Sequence, residues 1–195
     1  MSRARVFVRV AHGIALAGLM SLMVFADPPA ACASNGPFLV SSAAFDDGGI
    51  MSLEYAGNIH DCHGGNVSPP LAWRDAPAGT RSFAVVTFDF DGRAGLGVVH
   101  WVAYGIPAHV TRLAKGAGGA PGAGFIGGQN VRSSPLYAGP CPPAGDPFHH
   151  YLFTVYALDL TPESLRPGLS RDKLMAAMSG HIKGVSTLVG RFRRQ

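Results

Sequence analysis

Three apolar stretches of this chain carry acids, imidazoles or a phenol at one end. Asp89 and Asp91 close "RSFAVVTFDFD" (81–91), His100 sits near the start of "VVHWVAYGIP" (98–107), and His149, His150 and Tyr151 open "HHYLFTVYAL" (149–158). Together these groups supply hydrogen-bond acceptors, donors and rings that titrate near neutral pH. Gathered in one place they suit a small polar ligand or anion, or general acid–base work. The plainer role for an aspartate at a strand end is to bond turn amides. Other chemistries find less support. The sequence has no Gly-x-Ser-x-Gly elbow and no His-Glu-x-x-His motif. "HDCH" (60–63) has metal-ligating residue types, but zinc would need Cys62 as a thiolate. No metal and no cofactor is expected.

The elements that must position these groups follow from periodicity. Strict alternation puts Phe83, Val85, Thr87, Asp89 and Asp91 on one face, opposite Ala84, Val86, Phe88 and Phe90. It puts Val98, His100, Val102 and Tyr104 opposite Val99, Trp101 and Ala103, and His149 and Tyr151 opposite His150. "FLVSSAAFDDGGIMSLEYAG" (38–57) reads as short strands around an Asp-Asp-Gly-Gly turn, and 58–80 as a loop dense in turn residues. The Gly/Ala-rich stretch 113–130 reads as a long loop inside one domain. "TPESLRPG" (161–168) predicts one or two helical turns, "SRDKLMAAMSG" (170–180) a helix capped by Ser170 and stopped by Gly180, and "STLVGRF" (186–192) a last strand. With 26 Gly and 15 Pro, turns are frequent, and strands do not alternate with helices. The expected fold is all-β, an antiparallel two-sheet β-sandwich with a few short peripheral helices.

Residues 1–33 read as a secretory signal peptide: Arg3, Arg5 and Arg9, an apolar run from Ile14 to Phe25, then Ala31-Cys32-Ala33 as a small-x-small cleavage site. The apolar run is shorter than the ~20 residues a membrane span needs. Pro29, three residues before Cys32, argues against lipid attachment there. The expected product is a single domain, 34–195, exported to a periplasm or secreted, with no transmembrane segment. Without Arg3, Arg5, Arg9 and Asp27, the 16 basic and 12 acidic residues fall to 13 and 11, a net of +2. So weak a balance gives no case for nucleic acid. Cys62 and Cys141 remain as a pair in an oxidising compartment, which predicts a disulfide.

Four blocks, "HDCHGGNVSPPLAWRDAPAGTRSFAVVTFDFD", "HWVAYGIPA", "YAGPCPPAGDPFHHYLFTVYAL" and "MSGHIKGVSTLVGRF", together resemble the phosphatidylethanolamine-binding protein family, in its bacterial Raf-kinase-inhibitor-like branch. The likeness runs from about Phe38 to Phe192. It implies a two-sheet antiparallel sandwich and a small anion-binding cavity lined by an Asp-Pro-Asp-Ala-Pro segment, a His before an aromatic residue, and a Gly-x-x-Pro-Pro…His-x-Tyr segment. Asp89 and Asp91 match the first, His100 before Trp101 the second, and Pro142, Pro143, His149 and Tyr151 the third. The first motif reads "DFDGR" here, so Phe90, Gly92 and Arg93 replace its prolines and alanine, and Arg93 could add donors for a phosphate or carboxylate. Val98 stands where the family usually has a Trp. A Cys62–Cys141 bridge would pin one wall of the site. The resemblance thus implies an exported, non-enzymatic protein binding a small anion, such as a phosphate-bearing headgroup. The alternative is an inhibitor or regulator of an extracytoplasmic hydrolase or other protein partner. A hydrolase using Asp and His is a third reading.

Overall fold

The computed structural model describes Met1 and residues 36–194 apart from Pro121 and Ala123. Apart from Met1, the expected leader lies outside the described residues. In chain order the strands are β1 (Leu39–Ser41), β2 (Gly49–Ile50), β3 (Leu71–Arg74), β4 (Ser82–Asp89), β5 (Val98–Pro107), β6 (Arg112–Leu113), β7 (Ile126–Gly127), β8 (His149–Leu158) and β9 (Ile182–Phe192). One helix, α1 (Arg171–Met178), precedes β9. They form a three-stranded sheet, β1-β3-β6, and a six-stranded sheet, β2-β9-β8-β4-β5-β7.

β4 lies in the middle of the large sheet and is apolar on both faces because both faces are covered. Phe83 and Val85 join Trp101, Phe153 and Leu188 in a core shared with Val40, Leu71 and Trp73 of the small sheet. Trp73 meets the Phe83 ring edge-on at 5.2 Å. On the opposite face Ala84, Val86, Val102 and Tyr104 pack with Leu174 and Met178 of α1. Each such aliphatic or aromatic side chain contributes about 1.5–3 kcal/mol on full burial. The helix forms as its ends dictate, with the Ser170 hydroxyl accepting from the Lys173 N–H and Gly180 beyond it at a φ of 81°.

Four sequence expectations are corrected. β1 and β2 do not pair across the Asp-Asp-Gly-Gly turn. They belong to different sheets, and β2 runs parallel to β9, so the sandwich is not wholly antiparallel. Part of the stretch expected as loop, 58–80, is β3, where Leu71 and Trp73 point inward and Ala72 and Arg74 outward. Four residues between prolines and an aspartate are too few for a periodic signal. The last strand starts at Ile182, four residues earlier than expected. Alternation along β5 fails twice, at register shifts against β4. One sits at Gly105, whose φ of 65° and a would-be Cβ 2.7 Å from the Pro162 carbonyl suit only glycine. The other leaves His100 unpaired between Val99, opposite Phe88, and Trp101, opposite Thr87.

Candidate functional site

β4 ends where β5 and β8 begin, so Asp89 sits beside Val98 on one side and Tyr151 on the other. At this edge of the large sheet lies a cavity of about 560 Å³, within the usual range for small-molecule sites. Asp89, His100, His149, Pro142, Pro143 and Arg93 all line it.

Asp89 is the hub, and it is 3% exposed. Its Oδ1 accepts the amide N–H groups of Asp91 (3.0 Å) and Gly92 (3.1 Å), the plain turn-capping role. Its Oδ2 accepts from Nδ1–H of His149 at 2.8 Å and lies 4.0 Å from Nε2 of His100. The other nitrogen of His149 lies 3.4 Å from Asp146. Burial pulls the His149 pKa down, but the hydrogen bond and charge of Asp89, with Asp146 and Asp91 behind it, outweigh burial and raise it. His149 is therefore held between two carboxylates that favour its protonated form.

His100 is equally buried and differs in its partner. Its Nδ1–H donates to the Ala138 carbonyl at 2.6 Å. Burial lowers its pKa, and the charge of Arg132 works the same way, against the Ala138 bond and the charge of Asp89. The ring is neutral, and its Nε2 is buried without a hydrogen-bond partner among the described residues. The β-bulge puts it here. Strict alternation would have sent it to the face of Val102 and Tyr104, yet its ring meets Tyr151 edge-on at 5.1 Å, on the face of Asp89.

Two expected site residues are placed differently from the rest. Tyr151 is fully buried beneath both histidines and does not line the cavity. Its hydroxyl lacks a hydrogen-bond partner among the described residues, and burial, with the charge of Asp89, holds the phenol protonated. Asp91 lines the cavity, but its carboxylate accepts from the His150 backbone N–H at 2.7 Å and meets the His150 ring at 2.9 Å. The strand has ended by then, so Asp91 does not share the Asp89 face.

The walls are two loops. In residues 90–97 Arg93 has a φ of 53° and Ala94 of 55°. Proline, fixed near −65°, could not take that conformation at position 93, so this loop follows a path of its own. Gly92 is required, because a Cβ there would stand 2.9 Å from Asp89 Oδ2. The second loop, 137–146, is held from behind. Gly139 N–H donates to Asn66 Oδ1 at 2.8 Å, Gly57 N–H to the Pro140 carbonyl at 2.7 Å, and Cys141 is bonded to Cys62, with Cα atoms 5.7 Å apart. Sequence reasoning missed Asp146, Arg132 and Asn66. An acid three residues before His149 was a usable signal for Asp146. Arg132 and Asn66 sit in loops whose residue types say nothing of what they face.

The fold and site agree with what comparison with known proteins finds. The family model "Phosphatidylethanolamine-binding protein" matches residues 41–193, and the chain belongs to that family. It falls in the bacterial YbcL-type branch. The crystal structure of YbcL from Escherichia coli superposes with a TM-score of 0.76 at 32% identity, over 82% of this chain and all of that one (100%). The UPF0098 protein of Methanothermobacter thermautotrophicus is 38% identical over 77% of this chain and 95% of its own. LppC of Mycobacterium tuberculosis, which carries a lipoprotein name, is 38% identical over 80% of this chain and 72% of its own.

Proposed function

We propose that this protein is an exported, non-enzymatic binding protein whose cavity takes a small oxyanion, such as a phosphate-bearing headgroup or a phosphorylated side chain. The observation that carries the reading is the buried Nε2 of His100, without a partner among the described residues, in a cavity lined also by Arg93, Arg132 and His149, whose pKa is raised. A buried polar atom without a partner costs about 1–3 kcal/mol, which a ligand hydrogen bond would recover. Asp89 orients His149, and Pro142, Pro143 and the bridged loop hold the wall. A preformed site of this kind binds with little ordering entropy to overcome. The name of the family points to the same ligand class.

Because Nδ1–H of His100 is committed to Ala138, Nε2 is an acceptor when the ring is neutral. An oxyanion then binds either with proton uptake by His100 or by bringing its own acid proton, as a phosphate monoanion does. Both routes strengthen binding as pH falls below about 6.5, the ordinary histidine value. Acetate, which has no proton to give near neutral pH, is left with the first route alone.

Export is supported by the disulfide and by the lipoprotein name of LppC. Residues 1–33 serve as the leader and 34–195 as one domain in this reading. Among the described residues no helix is long and apolar enough to cross a membrane. The test is a thermal-shift titration of the purified, oxidised protein with phosphate, phosphoethanolamine and acetate at pH 6 and pH 8, beside His149→Ala. Stabilisation by the two phosphate compounds, larger at pH 6 and lost in the variant, is expected. Affinity independent of pH from 5 to 8, or no response to phosphate, would sink the reading.

A further inference from the structure

A second cavity, of about 540 Å³, lies across the disulfide from the first: Cys141 lines one and Cys62 the other. Its chemistry divides in two. One part is apolar, with Met51 and Phe192 joined by Ile50 and Leu53, which are 62% and 53% exposed. The other is cationic, with Arg193 and Arg194. Neither arginine forms a salt bridge among the described residues. The Arg193 guanidinium lies 4.7 Å from the centre of the Phe148 ring, which is also part of the wall. Among the described residues Arg194 has a buried Nε with no hydrogen-bond partner and a weak contact from an Nη1 3.9 Å from the Cys62 sulfur. Its backbone bridges to Ala144 in the loop 137–146. Asp61 and His63 complete the lining. One carboxylate against two guanidinium groups leaves the polar end positive.

Large exposed aliphatic side chains beside an exposed and a half-buried arginine, neither with an anionic partner among the described residues, match a ligand of complementary make-up. We propose that this second cavity binds a small anionic amphiphile, its acidic head on Arg193 and Arg194 and its apolar body against Leu53, Ile50 and Phe148. The site is separate from the oxyanion cavity and uses none of its side chains.

Octanoate is the probe, used below its micellar concentration, with octanol and acetate as the tail-only and head-only controls. Isothermal titration of the full, oxidised chain should give one octanoate site, bound at least ~10-fold more tightly than either control. Arg193→Gln with Arg194→Gln should weaken octanoate at least ~10-fold, the loss of charge-assisted hydrogen bonds, and leave the response to phosphate intact. His149→Ala should leave octanoate binding unchanged. If the arginine variant does not fold, Leu53→Asp, with an unchanged circular dichroism spectrum, must weaken octanoate instead. The proposal is overturned by no octanoate binding, by octanol binding as well as octanoate, by arginine variants that bind normally, or by loss in His149→Ala, which would put the ligand in the first cavity.

Discussion

Two histidines flank the same carboxylate and behave in opposite ways. His149 and His100 are almost equally buried, at 7% and 6% exposed. Yet one is lifted above the ordinary imidazole pKa and the other is pushed below it. The difference lies in what each Nδ1–H meets. For His149 it is a carboxylate, brought opposite by an unbroken β4–β8 ladder. For His100 it is the carbonyl of a loop residue, reached because a bulge turns the ring out of alternation. Burial favours the neutral ring at both places and weighs more on the deeper His100, while the charge of Asp89 reaches both rings and overrides burial only at His149, which it also hydrogen-bonds. The site therefore holds one ring that binds its proton more tightly than a free imidazole and one that binds it less tightly.

The largest effect should come from the loop that serves His100. Replacing Cys62 and Cys141 by serine opens a bridge spanning 79 residues and should destabilise the protein by about 4.5 kcal/mol on the chain-entropy model. The test is the urea midpoint against wild type. In NMR, the His100 resonances should move more than those of His149, since Ala138 belongs to the released loop. Equal movement at both rings would mean that the loop does not hold His100 apart.

Asp89→Asn attacks the other side. It removes the charge that holds the His149 proton while keeping a similar shape. Breaking a buried pair in this way should cost about 3 kcal/mol or more, read from the denaturant midpoint. The His149 pKa should fall toward that of His100. A variant in which His149 still titrates above 6.5 would assign its raised pKa to Asp146.

A pH titration separates the two rings without any mutation. The raised pKa of His149 gives stability that is fully present below about 6.5 and lost as pH rises through the folded value. The lowered pKa of His100 acts the other way. Its contribution is complete above about 6.5 and is lost as pH falls through the folded value. For either ring, a tenfold difference in proton affinity between the folded and unfolded chain is worth about 1.4 kcal/mol. Ring-proton NMR should show His149 titrating above 6.5 and His100 below it. A single common midpoint would abolish the contrast.

Tyr151→Phe should have the smallest effect on stability, within about 1 kcal/mol, because the hydroxyl it removes meets no hydrogen-bond partner at bonding distance among the described residues. A loss of several kcal/mol by thermal denaturation would mean that the hydroxyl is engaged after all.

The legible parts of the fold were those written as period two over long runs. β4 and β8 were readable because eight and ten residues alternate or stay apolar throughout. That also placed Tyr151 with His149 and away from His150. β3 was not readable, since four residues among turn formers carry no period. β2 was not readable as a parallel partner of β9, because pairing across some 140 residues leaves no local mark. In the site, Asp89, His149 and the bridged proline loop could be named from residue types and the family likeness.

Residue order was enough for the family, the sandwich, the set of acids and imidazoles at strand ends, and the cysteine pair. The family rests on the likeness of four sequence blocks, and the others on local periodicity and residue chemistry, which a chain carries whether folded or not. Folding had to settle that His100 turns onto the Asp89 face, that Asp91 serves His150, that Tyr151 lies beneath the cavity, and that Arg132 and Asp146 join its wall. Each depends on a bulge, a turn or a contact between residues far apart in the chain. The charge of a buried imidazole follows from that contact and not from its place in the sequence.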